Sequence, residues 1–175
     1  MKKLLLLFLC LALCFSAIGC TIDSVPEKEQ ASSSQGNSNA QTPQTFGLNE
    51  SAVFSNLKFT ATELSQSDGK DFFVPNTGNV FVGIKFTIEN ISNEDQSISS
   101  LLLFEGYVDD VKTSWSVSAS CVFDEGTLDG TIAPGKKLVG WYSVEVPANW
   151  KTLELKVQNS IWSNNSATFV FQNNK

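Results

Sequence analysis

Histidine is absent from this 175-residue chain, and that absence removes the commonest routes to catalysis. No Ser-His-Asp or Cys-His pair can form, and no imidazole is present to ligate a metal. Cys121 sits in VSASCVFD, among small residues and a Val-Phe pair, the setting of a small buried hydrophobe in a strand. A reactive thiol would want a base to lower its pKa. Asp109, Asp110, Asp124, Glu125 and Asp129 supply the oxygen type that calcium prefers. They lack EF-hand spacing, so they read as solvated turn residues and no metal site is assigned. Trp115, Trp141, Trp150 and Trp162 offer flat faces on which a sugar could stack. Trp141 falls opposite the apolar face of its strand, which makes it a candidate binding residue. Covering a second face or a sandwich corner is the competing and more usual role for tryptophan. Acid–base chemistry by paired carboxylates, acting on envelope glycans, stays formally open, as does a Ser-Lys nucleophile. No motif supports either, and none implies a cofactor.

These side chains must be positioned by strands. Val80 to Asn90 reads VFVGIKFTIEN, with Val80, Val82, Ile84, Phe86 and Ile88 on every second position. A period of two in β-branched and aromatic residues marks a strand with one strongly apolar face. A helix would scatter these side chains around its circumference. Asn56 to Leu64 alternates in the same way, with Leu57, Phe59 and Ala61 against Lys58, Thr60 and Thr62. Ile98 to Val108 and Val111 to Val117 form an expected hairpin with Asp109-Asp110 at its tip, and Ser118 to Phe123 reads as another strand. Pro134-Gly135 supplies a tight turn. Lys137 to Val146 then places Leu138, Gly140, Tyr142, Val144 and Val146 on one face. Leu153, Leu155 and Val157 mark the next strand, and Ala167 to Phe171 the last. About seven to nine strands at roughly ten-residue spacing, joined by Gly, Pro, Asn and Asp turns, predict an all-β antiparallel sandwich.

The amino terminus carries different information. Lys2 and Lys3 precede an apolar run from Leu4 to Ile18, broken by Ser16. The run falls short of the about 20 residues that span a membrane and has the layout of a secretory signal. Its end, Ala17-Ile18-Gly19-Cys20, resembles the lipobox of bacterial lipoproteins, with Ala17 in place of the usual leucine. The resemblance implies that residues 1–19 are a signal peptide and that Cys20 is acylated on sulfur and becomes the first residue. Thr21 to Thr45 is built from Ser, Gln, Asn, Thr, Pro and Ala, with Ile22 and Val25 as its sizeable apolar residues. So little apolar surface cannot repay ordering entropy, and residues 20–45 are expected to be a disordered linker. As flexible chain it would reach roughly 25–30 Å. The rest, residues 46–175, suffices for one domain.

Without Lys2 and Lys3 the chain keeps ten lysines and no arginine against eighteen acidic residues, a formal charge of minus eight. Nucleic acid is not an expected partner for such a surface, because phosphate binding needs a basic face. With Cys10 and Cys14 gone and Cys20 lipidated, Cys121 has no intramolecular disulfide partner.

The run Gly130-Thr131-Ile132-Ala133-Pro134-Gly135-Lys136-Lys137, then Gly140 and Val144-Glu145-Val146-Pro147, resembles domain-of-unknown-function family 4352. Ile88-Glu89-Asn90-Ile91-Ser92 matches that family's strand ending in Asn-x-Ser. The resemblance implies a telokin-like, immunoglobulin-like sandwich over about residues 46–171, of a kind common on bacterial lipoproteins. It implies no catalytic residues.

A membrane-tethered, extracytoplasmic binding or interaction module is therefore expected, attached through lipid on Cys20 and contacting a protein or other envelope component. Its longest connection, Ser65 to Asn79, contains the apolar group Phe72-Phe73-Val74. These three residues are candidate binding residues; their competing and favoured role is a lid packed on the core. If the lipobox operates, mass spectrometry of membrane-extracted protein will find Cys20 acylated and amino-terminal. An unmodified Cys20 or an intact Met1 would refute this.

Overall fold

The computed structural model describes residues 27–29 and 44–174. Residues 1–19, Cys20 and most of the linker lie outside the described residues. Two five-stranded sheets face each other. The first contains, in spatial order, β1 (Glu27–Glu29), β3 (Ser51–Val53), β4 (Leu57–Ser67), β5 (Asn79–Asn90) and β10 (Lys137–Pro147). The second contains β2 (Thr45–Phe46), β12 (Ser166–Gln172), β11 (Thr152–Gln158), β7 (Phe104–Val108) and β8 (Val111–Thr113). A two-stranded ribbon joins β6 (Gln96–Ile98) to β9 (Gly130–Ile132). The expected all-β antiparallel sandwich is what forms, although β2 pairs with β12 in parallel.

The core lies between the sheets and is centred on β5. Val80, Val82, Ile84, Phe86 and Ile88 are all buried, as their alternation requires. Phe86 is the keystone of an aromatic cluster. Its ring meets Phe169 edge-on at 5.2 Å and Phe104 at 5.6 Å, and Phe104 stacks on Tyr142 at 5.2 Å. Part of the opposite face of β5, at Phe81 and Gly83, is buried too, which the alternation did not foretell. Phe81 packs with Ala119 and Val122. Gly83 lies under Phe123, whose ring stands 2.9 Å from where a β-carbon would be. The segment from Ser116 to Leu128 thus acts as a third layer over the outside of the first sheet.

That segment is the main departure from the expected strands. Residues 118–123 are not a strand: Val117–Ser120 is a single helical turn, α1. Ser116 caps it, accepting a hydrogen bond at Oγ from the Ala119 amide at 3.2 Å. The choice follows from local capping by Ser116. Residues 99–103 are likewise a turn, so the hairpin is shorter than expected, with β7 and β8 as its arms. Its tip holds: Asp109 and Asp110 have φ of 47° and 67°, the pair of positive values a two-residue type I′ turn needs. Within the expected linker, Glu27–Glu29 pairs antiparallel with β3, Glu27 opposite Val53.

The connection between β4 and β5 is shorter than its sequence suggested, residues 68–78, because β4 runs on to Ser67. Glu145 on β10 fixes its base. The Glu145 Oε1 accepts from the Asn76 amide and Asn76 Nδ2, both at 2.8 Å, and from Asn79 Nδ2 at 2.9 Å. These bonds favour the ionised form, Asn79 most and then Asn76, so the carboxyl titrates below its ordinary 4.5. Because the folded value is depressed, the bonus is present above the ordinary value and is lost as pH falls through the folded one. Protection of the Asn76 backbone amide, which donates to Glu145, should therefore weaken as pH falls below the ordinary carboxylate range, and Glu145→Gln should abolish that dependence in hydrogen exchange corrected for intrinsic rates. For the core, Phe86→Ala should cost about 3–5 kcal/mol, a large share of a typical domain's stability. An unchanged denaturation midpoint would contradict the packing just described.

Candidate functional site

Loop 68–78 displays its apolar residues instead of packing them. Phe72 is 97% exposed, and Phe73 and Val74 are exposed as well. The lid expectation fails because Trp150 already occupies the place. Trp150 is buried in the core cluster at this end of the sandwich, its Nε1 donating to Gln66 Oε1 at 3.2 Å. The loop is nonetheless well held. The Lys70 amide donates to the Phe73 carbonyl at 2.9 Å and the Phe73 amide to the Lys70 carbonyl at 3.0 Å. Asp71, with φ of 54°, and Phe72 form the tip between them. Gly69 is required beneath this turn: at φ 114°, a β-carbon there would stand 2.6 Å from the Phe73 carbonyl oxygen. Phe72 is thus an aromatic side chain presented on an ordered backbone, with Glu145 anchoring one flank.

Trp141 does not join it. It is 6% exposed, because the third layer that covers Phe81 also covers this face of β10. Phe123 stacks on its ring at 5.0 Å, and Lys85 Nζ sits 5.6 Å from the ring centroid. The candidate role of Trp141 as an exposed platform is therefore corrected to that of an outer-face packing residue. Lys85 is ion-paired with Glu125, and Glu63 lies 3.9 Å away. Glu125 is the main reason that the Lys85 ammonium is held above its ordinary pKa, with Glu63 adding to it. A lysine held in its protonated form by carboxylates is a poor base and a poor nucleophile at neutral pH. Of the remaining tryptophans, Trp150 is buried and Trp115 partly so, whereas Trp162 is 89% exposed.

The acidic turn residues are committed to separate tasks. Asp109 accepts from the Lys151 and Thr152 amides, Asp129 from the Ser100 amide and hydroxyl, and Asp124 pairs with Lys70 at 3.2 Å. Among the described residues no three His, Cys, Asp or Glu side chains gather as a metal site. Cys121 is exposed, not buried in a strand, because it follows α1 as its carboxyl-terminal cap.

A cleft of about 220 Å³ opens between the sheets beside β8, lined by Glu105, Lys112, Trp115 and Tyr142 among others. It is smaller than sites that take drug-sized ligands, about 300–1,000 Å³. Burial, with help from Glu105, pushes the Tyr142 phenol up to about 12. The Lys112 hydrogen bond, then that of Tyr107, holds Glu105 below the usual carboxylate range. Tyr107 and Lys112 are raised in return, each mainly by its hydrogen bond to Glu105. Every one of these shifts moves its group away from neutral pH, opposite to what a general acid or base needs.

Among the described residues no helix is long and apolar enough to cross a membrane. No curated protein matches the chain. Solved structures do. A candidate lipoprotein of Bacillus subtilis, ycdA, is 16% identical with a TM-score of 0.57; the match covers 69% of this chain and 37% of that one. An uncharacterised β-sandwich protein from Clostridium difficile is 15% identical with a TM-score of 0.52, over 79% of this chain and all of that one, 100%. The secreted protein MPT63 of Mycobacterium tuberculosis is 13% identical with a TM-score of 0.51, over 77% of this chain and 100% of its own. At such identities these likenesses speak to the sandwich alone. The sequence match is more direct: residues 46–168 fit DUF4352, a domain of unknown function, from the parallel edge strand into β12. The chain belongs to the DUF4352 family.

Proposed function

We propose that this protein is a lipoprotein held on the extracytoplasmic side of a bacterial membrane by lipid on Cys20. Residues 1–19 are its signal peptide, 20–45 its tether, and 46–175 a non-enzymatic binding module. The site is loop 68–78, and the partner is a protein or another envelope component. One observation carries the binding reading: Phe72 stands 97% exposed at the tip of a hydrogen-bonded turn. An aromatic side chain held ready in this way gives contact area at little ordering cost. Phe73 and Val74 beside it extend the apolar surface. The lipobox resemblance supports the anchor, and the candidate-lipoprotein description of ycdA agrees with it. The glycan-enzyme alternative gains no support, since Lys85 bridges Glu63 and Glu125 and the perturbed groups move away from neutrality.

The test uses the full chain as bait in native envelope, comparing wild type with Phe72→Ser. Capture should fall several-fold while the unfolding midpoint stays nearly unchanged, because Phe72 contributes almost nothing to the core. A midpoint lowered by many degrees, with capture lost only in proportion to unfolding, would return Phe72 to a structural role.

A further inference from the structure

The opposite end of the sandwich carries a second exposed apolar patch. Leu101 and Leu102 project from the turn before β7, Ile161 and Trp162 from the turn before β12, and Ile91 from the end of β5, all exposed. Leu102, Ile161 and Trp162 line one shared depression. The two turns are tied together. Asn159 Nδ2 donates to Asn56 Oδ1 at 2.6 Å, the Ile91 amide donates to the Asn56 carbonyl at 3.0 Å, and the Gln158 amide to the Leu103 carbonyl at 2.9 Å. Grouped exposed leucines and a tryptophan call for a covering partner more than scattered ones do.

The strand register shows what lies beside this patch. Glu27 pairs with Val53, Val53 with Lys58, Lys58 with Glu89, and Glu89 with Lys137. That row is the last but one of the sheet at the Asn90 end, the end of Trp162. Seven peptide units join Cys20 to Glu27, and they span at most about 25 Å. β5 alone has twelve residues, about 40 Å of strand. A lipid on Cys20 therefore holds the Trp162 end close to the bilayer, while loop 68–78 occupies the far end.

We propose that this end docks on the lipid bilayer itself, with Trp162 and Leu101–Leu102 entering the headgroup region and Phe72 pointing outward. The inference rests on the anchoring of Cys20 proposed above. Tryptophan and leucine at the rim of a domain match the amphipathic chemistry of the membrane interface. Charge does not draw this end to an anionic surface: exposed Glu94, Asp95 and Asp129, the last bonded to Ser100, outnumber exposed Lys136 and Lys137, and Lys137 is already paired with Glu89 at 3.2 Å. Docking is therefore driven by apolar contact and is not strengthened by anionic lipid or by low salt.

The experiment uses full-length lipidated protein in phosphatidylcholine vesicles, with and without phosphatidylglycerol, and with bromine on the acyl chains in a parallel set. Brominated lipid should quench tryptophan emission, no less in phosphatidylcholine alone than with phosphatidylglycerol and no less at high salt than at low. Trp162→Phe should lose most of that quenching, because Trp141 and Trp150 are buried and Trp115 is partly so. A Leu101→Ser, Leu102→Ser variant should show reduced quenching with an unchanged unfolding midpoint. Protein that floats with the vesicles but is not quenched overturns the docking and leaves the anchor standing. Protein that does not float refutes the anchor and the docking with it. Hydrogen-exchange protection of residues 99–103 and 160–163 in native envelope but not in protein-free vesicles would assign the patch to an envelope partner and also overturn the proposal.

Discussion

Burial of β5 along its whole core face, and on its outer face at Phe81 and Gly83, is the constraint around which this molecule is built. A strand in the middle of an antiparallel sandwich ordinarily presents one face to the core and the other to water. Here Phe86 and Ile84 point into the core while Phe81 and Gly83 point outward under Ala119, Val122 and Phe123. The third layer has further consequences. It buries Trp141, leaves Lys85 sandwiched between ring and carboxylates, and needs a glycine where the Phe123 ring approaches most closely. It also covers part of the outer face of the first sheet, so the grouped exposed aromatics, Phe72 and Trp162 among them, are left to the two ends.

The two ends solve different physical problems. At the end of loop 68–78, Trp150 closes the core and frees Phe72 and its neighbours for contact. Glu145 and the paired Lys70–Phe73 bonds hold the loop in shape without burying it. At the other end the buried Asn90 is the organising group. Its Nδ2 donates to the carbonyls of Glu94 and Ile132, both at 2.7 Å, and its Oδ1 accepts from the Ser92 amide and hydroxyl. A buried amide with all these partners is a strong determinant of loop geometry. The Asn-x-Ser motif of the family thus has a structural meaning here: it stitches the end of β5 to the turn that follows and to β9.

Much of the strand inventory was legible in the sequence, because alternation of period two reports a half-buried strand directly. Loop 68–78 was located, yet the exposure of Phe72 was read the wrong way. Nothing in a run such as Phe-Phe-Val-Pro tells which of several aromatics will plug a sandwich end, and Trp150 lies some distance along the chain. Cys121 and Trp141 were misplaced for a related reason. Their neighbours along the chain look like strand, whereas their surroundings are set by Ser116 capping a helical turn and by Phe123 folding onto β10.

By itself the sequence determined the all-β class, the apolar face of β5, the tight Asp109-Asp110 tip and the lack of any histidine-based chemistry. These follow from side-chain period, turn stereochemistry and composition, which are local properties. Only the tertiary structure decided which apolar residues became surface: Phe72 and Trp162 out, Trp141 and Trp150 in. The same holds for the pairing of Glu27–Glu29 with β3, which brings the amino-terminal segment to one end of the sandwich. Those outcomes depend on competition among distant segments for the same space and the same sheet edge, and no local pattern records who wins it.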